Sequence, residues 1–205
     1  MKKIEEIKNE IWRIWEILVL AKECFHYSYY LHKPDTIKEL EYINQSTDLD
    51  FIRHILWRTT VIELSKLLSY SEKRDRFNIN HFIRKLEKDG HFGDLGINQA
   101  TIYKWKNEIE GRQVIINILL KYRDKVYAHS DPNKDEYSKL DITFKQIEQL
   151  IDFVENIIRE IYGTVLNAHI DTETVIFRRQ RFDLVKILAD EQERKIKETL
   201  NYLKR

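Results

Sequence analysis

The hydrophobic positions of this sequence recur mostly with a helical period. Apolar residues from Ile4 to Phe25 follow a heptad-like spacing, which predicts one long helix over about residues 3–31. This helix should end before Lys33 and Pro34, because proline disfavours helical backbone in the residue before it. Its apolar stripe could pack inside the chain or serve as a coiled-coil seam between two copies.

A short helix over about 36–44 and a polar loop lead to a second long helix, predicted over 49–70. Apolar residues spread around most of its circumference, as in the central helix of a bundle. They are Phe51, Ile52, Ile55, Leu56, Val61, Ile62, Leu64, Leu67 and Leu68. The pattern therefore predicts that this helix is the most buried one.

Polar and glycine-containing stretches divide the rest of the chain into further helices. The next predicted helix is about His81–Lys88, after the candidate cap Asn80. Asn98 is the candidate cap of a helix that runs to about Ala128 with a break at Gly111. A helix from Thr143 to about Asn167 follows, and Asp183 is the candidate cap of a terminal helix that runs to about Leu203. Thr143 and Gln146 have the spacing of a capping box. The segment 174–182 is ambiguous between helix and other structure.

Composition agrees with this all-α interpretation. The 205 residues include only 5 glycines and 2 prolines, whereas a β fold with many turns would need more of both. We expect a single all-α domain, a helical bundle over 1–205. Within it, residues 1–48 would be an N-terminal helical extension, 49–168 the core and 169–205 a C-terminal helical appendage.

Charge and cysteine content narrow the function classes. The net charge of +1 gives no global attraction to nucleic acid, so such binding must come from local patches. Cys24 is the single cysteine, which excludes an intramolecular disulfide, and the seven histidines form no close pair suited to zinc. No cofactor or metal is expected. The apolar run IWEILVLA is too short to span a bilayer and the start is too acidic for a signal peptide, so a cytoplasmic protein is expected.

The stretch KYRDKVYAHSDP, from Lys121 to Pro132, carries the candidate chemistry. An arginine followed after four to six residues by a histidine is not specific in itself. The matches are Arg74 and Arg76 with His81, Arg84 with His91, and Arg123 with His129. The last pair alone follows a strongly apolar helix, which can hold catalytic side chains rigidly. We therefore select Arg123 and His129.

These two residue types fit RNA cleavage through the 2′-hydroxyl. Histidine can act as acid or base near neutral pH, and arginine binds phosphate oxygens with its planar fork. On an unbroken α-helix Arg123 and His129 would point about 120° apart. Either the helix ends before His129, or a second copy completes the site across a two-fold axis.

The segment R-D-K-V-Y-A-H, closing an apolar helix, resembles the signature of HEPN-superfamily ribonucleases. The stretch WRTTVIELSKLLS, residues 57–69, with the polar loop and short helix after it, is similar to the abortive-infection branch. The resemblance covers about residues 50–165 and assigns Arg123, Asp124 and His129 to the motif. It implies a HEPN-like core and a homodimeric, metal-independent endoribonuclease of a toxin–antitoxin or phage-defence system. Many toxins of this superfamily carry a modifiable tyrosine two residues after the histidine, where this chain has Asp131.

Other residues are secondary candidates. Glu63 falls in an apolar arc of its helix, so its carboxylate needs a partner, and Arg123 is the hypothesis. The alternatives are an interhelical salt bridge unrelated to catalysis and an edge position that reaches water. Lys125 and Tyr127 flank the motif and could line the cleft or simply pack. Three arginines, beside Phe177 and Phe182, could follow an RNA backbone or form an ordinary solvated face. They are Arg178, Arg179 and Arg181.

The rival interpretation is a non-catalytic all-α module that binds protein or nucleic acid. In that case Arg123 and His129 would be structural, since a histidine near a helix C-terminus gains contacts with the helix dipole and its last carbonyls. Composition does not separate the two. The expected partners are RNA and a second copy of the chain, with a cognate antitoxin as a further candidate.

Overall fold

The computed structural model describes residues 2–71, 76–128, 142–168, 170 and 183–203. In these ranges the chain is helical, as predicted. The helices are α1 (Lys2–His32), α2 (Ile37–Gln45), α3 (Thr47–Leu68), α4 (Ile79–Leu86), α5 (Gln99–Gly111), α6 (Gln113–Tyr122), α7 (Phe144–Val165) and α8 (Asp183–Leu203). A six-residue π-helical segment, Arg123–Ala128, continues α6, and a 3₁₀ turn lies at Gly93–Leu95.

Local capping signals determine several of these boundaries. The Thr143 hydroxyl accepts a hydrogen bond from the Gln146 amide, and the Gln146 side chain accepts one from Thr143, which confirms the capping box. Asn98 caps α5, also as predicted. The cap of α4 is Asn78 rather than Asn80; the Asn80 side chain instead donates to backbone carbonyls at the end of α3. Asp183 is the first residue of α8 rather than a residue before it.

The α-carbon contacts group the chain into two compact units. The first unit comprises Met1–Lys22 and Arg58–Thr172, and the second comprises Glu23–Trp57 and Glu173–Arg205. The unit boundaries fall within α1 and α3, so each of these helices contributes to both units. The predicted single domain with an extension and an appendage stays a prediction.

The apolar stripe of α1 is internal. Ile7, Ile11, Ile14 and Leu18 are fully buried within the first unit. A coiled-coil seam between two copies would need this stripe exposed, so that alternative is wrong. In the second unit a small core forms between the helices. It contains Tyr30, Leu31, Ile43 and Val185.

Helix α3 is less buried than its pattern predicted. Its C-terminal half is internal, with Val61, Leu64 and Leu67 fully buried. In its N-terminal half, Phe51 is 66% exposed and Ile52 is 42% exposed. The prediction that α3 is the central, most buried helix is therefore wrong for this half. Hydrophobicity around a whole helix identifies apolar side chains but not whether other elements cover them.

A buried ion network connects α1 to α7 in the first unit. Glu155 pairs with Lys22 and Arg159, each at 2.6 Å, and the Glu155 side chain is only 8% exposed. The Lys22 side chain is 15% exposed. Both charges are mostly removed from water, so each depends on its counterion.

We expect Glu155→Leu to lower the free energy of unfolding by about 3–5 kcal/mol, because it leaves Lys22 charged without its counterion in a mostly buried site. Urea denaturation with an unchanged m-value would measure this loss. The double variant Lys22→Met/Glu155→Leu should recover most of it. As the control, Glu191→Leu removes an exposed pair with Arg194 and should leave the free energy of unfolding nearly unchanged. Equal losses from the two single variants would show that the Glu155 network is not specially stabilising.

Candidate functional site

Helix α6 is positioned at its start by a contact with α7. The helix is interrupted at Arg112, between α5 and α6, next to the break predicted at Gly111. The Arg112 guanidinium lies over the ring of Phe153, 4.4 Å from its centroid. Ile116 and Leu119 are then buried on one side of α6. These contacts fix the helix that leads to the predicted motif.

The motif itself begins on π-helical backbone. From Arg123 to Ala128 the hydrogen bonds connect residues five apart, rather than four apart as in an α-helix. The separation of about 120° was calculated for an unbroken α-helix, so it does not apply to this segment. Short π-helical insertions occur often at functional sites. His129 lies outside the described residues, so its role stays a prediction.

Arg123 and Asp124 form a pair at the start of this segment. The Arg123 Nε–H donates to Asp124 Oδ1 at 2.8 Å. The Arg123 side chain is 17% exposed, and that of Asp124 is 42% exposed. The more exposed carboxylate therefore pairs with an arginine side chain that is largely buried. Two of the three predicted motif residues are in direct contact.

Within the described residues, Tyr122 and Arg58 contact Tyr127 near the end of the π-helical segment. Its ring meets that of Tyr122 edge-on, with centroids 5.2 Å apart. The Arg58 guanidinium lies 5.9 Å from the centre of the Tyr127 ring, and Arg58 Nη2 donates to the Tyr127 carbonyl at 2.9 Å. Lys125, the other flanking candidate, is half-buried. Arg58 was not predictable from the sequence, because no local spacing links it to a residue 69 positions later.

Glu63 makes a local pair. Its carboxylate contacts Lys66 at 2.5 Å, three residues further along α3, and its side chain is 12% exposed. Glu63 is largely buried and has a charged partner, as the prediction required. The predicted partner was wrong, because Glu63 pairs with Lys66, whereas Arg123 pairs with Asp124. A supporting role for Glu63 in catalysis stays a prediction.

The remaining predictions concern an RNA-binding patch, metal ions and membranes. Arg178, Arg179 and Arg181 lie outside the described residues, so the basic RNA patch stays a prediction. Across the described ranges, no group of three or more His, Cys, Asp or Glu side chains is arranged to hold a metal ion. No helix in those ranges has both the length and the apolar character needed to cross a membrane.

A groove of about 1150 Å³ lies between α5 and α7. Tyr103 and Asn107 line it from α5, Asp152 and Asn156 line it from α7, and Ile115 lines it from α6. None of the predicted site residues within the described ranges belongs to its lining. Burial and the neighbouring charge of Glu155 raise the pKa of Asp152. The groove is thus a feature distinct from the predicted motif.

The all-α fold, with an arginine motif at the end of an apolar helix, agrees with the resemblance of the sequence to HEPN-type proteins. The sequence matches the family HEPN_AbiU2, described as AbiU2, over residues 4–183. Since this match covers most of the chain, the protein belongs to the AbiU2 family. The match also includes α1, and so extends well beyond the region 50–165 that carried the resemblance in sequence. No curated protein and no solved structure matches the chain.

Proposed function

We propose that this protein is a metal-independent endoribonuclease of the HEPN type. Arg123 and His129 would carry the reaction, at a composite site formed by two copies of the chain. Membership of the AbiU2 family supports a setting in abortive infection, as a toxin with an antitoxin or as a phage-defence protein. Asp131 occupies the position of the modifiable tyrosine, which argues against an antitoxin that acts by modifying that residue.

The observation that carries this proposal is the position of Arg123. Its guanidinium is largely buried, is paired with Asp124, and stands on a π-helical segment that ends one residue before His129 in sequence. A guanidinium held in this way loses little conformational freedom when it binds a phosphate. Preorganised cations of this kind stabilise the charge that develops in a transition state.

The chemistry follows from these groups. One neutral histidine removes the proton of a ribose 2′-hydroxyl, and the 2′-oxygen attacks the adjacent phosphorus. A second histidine, protonated, donates its proton to the leaving 5′-oxygen as the P–O bond breaks. Arg123 neutralises the non-bridging oxygens of the phosphorane. The products are a 2′,3′-cyclic phosphate and a 5′-hydroxyl, so atoms and charge balance without water or metal.

A second copy would supply the second histidine, because the motif contains one histidine per chain. The exposed side of α6 supports such a dimer. Val114 is 73% exposed, and Ile115 and Ile118, within 100° of it around the helix, are only partly buried. This apolar surface lies on the helix that leads to the motif, and open apolar surface can serve as a protein interface. Two α6 helices packed there in parallel, about a two-fold axis along their length, would bring two motifs to one cleft.

The non-catalytic binding module remains the second candidate. The contact between Arg123 and Asp124 favours it, since an arginine already paired with a carboxylate can serve the fold alone. A structural role predicts that motif variants lose stability, whereas a catalytic role predicts that they lose cleavage and keep their fold.

Diluting the parent protein with an inactive variant tests the composite site. We expect His129→Ala to be inactive on single-stranded RNA, and the activity of its mixtures with the parent to fall as the square of the parent fraction after subunit exchange. A mixed dimer has one histidine in the shared cleft, whereas the reaction needs two. The control mixture combines the parent with His91→Ala and should keep its full activity. If differently tagged copies exchange and activity instead falls in direct proportion to the parent fraction, the composite site is wrong.

A further inference from the structure

Arg58 on α3 lies beside the motif without belonging to it. Its Nη2 donates to the Tyr127 carbonyl at 2.9 Å, and its guanidinium covers the Tyr127 ring. Tyr127 is two residues before His129 in sequence. The side chain is nevertheless exposed to solvent. A cation is therefore fixed in place at the end of the segment that carries Arg123.

The charge of Arg58 is not neutralised within the described part of the chain. Several other arginines there are paired with a carboxylate. They include Arg13, Arg53, Arg123, Arg159 and Arg194. Arg58 instead contacts a carbonyl oxygen and a ring face, neither of which carries a full negative charge. Capping a carbonyl oxygen needs one N–H group, whereas the guanidinium of Arg58 has five.

The two contacts also hold the guanidinium plane in one orientation. The cation–π contact with Tyr127 and one hydrogen bond reduce the freedom that a long arginine side chain normally has in solvent. Binding an anion then costs less ordering entropy. The planar fork of the Arg58 guanidinium matches the spacing of two phosphate oxygens. A point charge such as that of lysine cannot reproduce this geometry.

We propose that Arg58 is a substrate-binding residue that contacts a phosphate of the RNA strand next to the one that is cleaved. Arg123, on the motif, serves the scissile phosphate, and Arg58 holds the neighbouring one. The strand is thereby positioned along the end of α6. This inference rests on the proposed function, because it takes single-stranded RNA as the ligand.

Three substitutions separate charge from anchoring. Arg58→Ala removes both, and Arg58→Gln removes the charge but keeps an N–H donor for the Tyr127 carbonyl. Arg58→Lys keeps the charge. Arg13→Ala is the matched control, because Arg13 is an exposed arginine of the same unit that is already paired with Glu16. Circular dichroism and thermal melting would establish that all four variants are folded.

Two readouts are needed. The first is steady-state cleavage, from which KM and kcat are obtained separately. The second is fluorescence anisotropy of a labelled, mixed-sequence single-stranded RNA, titrated over a range of salt with proteins that also carry His129→Ala. The binding readout does not require cleavage, so it tests Arg58 even in the absence of catalysis.

We expect Arg58→Ala and Arg58→Gln to raise KM about tenfold, the effect of losing one charged hydrogen-bonded contact, with kcat changed by about twofold at most. The slope of log affinity against log salt should become shallower by about 0.7, as for one phosphate contact on a single strand. Arg58→Lys should keep the slope, and Arg13→Ala should behave like the parent protein.

Other results would overturn the inference. Loss of kcat with KM and salt slope unchanged would mean that Arg58 only holds the Tyr127 carbonyl. Cleavage by the parent protein with no effect of any Arg58 variant would reject the Arg58 contact and leave the nuclease proposal intact. RNA binding that depends on Arg58, without any cleavage, would reject the nuclease proposal and leave the Arg58 contact intact. Absence of both binding and cleavage would reject both proposals.

Discussion

Replacing His129 by alanine is expected to lower RNA cleavage by about 10²–10⁴-fold while the helical fold is retained. This is the usual contribution of a positioned proton donor or acceptor, and two copies of the residue would be lost from a shared cleft. Initial rates on single-stranded RNA, beside thermal melting of the same preparations, measure the two quantities separately. A structural His129 would give the opposite result, a lower melting temperature with cleavage retained.

His91→Ala is the matched control for this variant. His91 also follows an arginine, Arg84, at the motif spacing, but its ring contacts Glu6 at 2.9 Å on the exposed surface. Its loss should leave cleavage unchanged. An equal loss of cleavage in both variants would contradict the choice of Arg123 and His129 among the motif matches.

Arg123→Lys is expected to reduce kcat by about 10²–10³-fold, comparable with the loss of one preorganised donor to a developing oxyanion. Lysine keeps the positive charge but loses the planar fork and the Nε–H that contacts Asp124. Single-turnover cleavage at saturating RNA isolates this effect from binding. Asp124→Asn should cause a smaller fall, because the guanidinium is kept but less firmly oriented.

The control for this second prediction is Arg194→Lys. Arg194 is an exposed arginine on α8, paired with Glu191 and Glu198, and the same conservative change there should leave kcat unaltered. If Arg123→Lys also cleaves at the parental rate, a fork on the phosphorane is not required. The nuclease proposal would then lose the observation that carries it.

The sequence predicted the features that neighbouring residues determine. The capping box of Thr143 and Gln146, the cap at Asn98 and the break between α5 and α6 all follow from side chains acting on backbone a few residues away. The all-α class follows from helical periodicity and scarce glycine and proline. These interactions join residues that are close together in the sequence, so a sequence pattern indicates them.

Features that depend on distant partners were not predictable in the same way. The exposure of Phe51 depends on which elements cover α3, and the contact of Arg58 with Tyr127 joins residues 69 positions apart. The π-helical backbone from Arg123 has no distinct residue signature. The need of Glu63 for a partner was predictable from its burial, but the choice of Lys66 was not.

The central claim is metal-free cleavage of RNA by the motif, and the chemistry of the product ends tests it most directly. Purified protein would be incubated with RNA in excess EDTA, the parent beside His129→Ala, and the 3′ ends of the products identified. We predict cleavage by the parent alone, with 2′,3′-cyclic phosphate at the new ends. Cleavage that requires added metal, that leaves 3′-hydroxyl ends, or that His129→Ala performs equally well would contradict it.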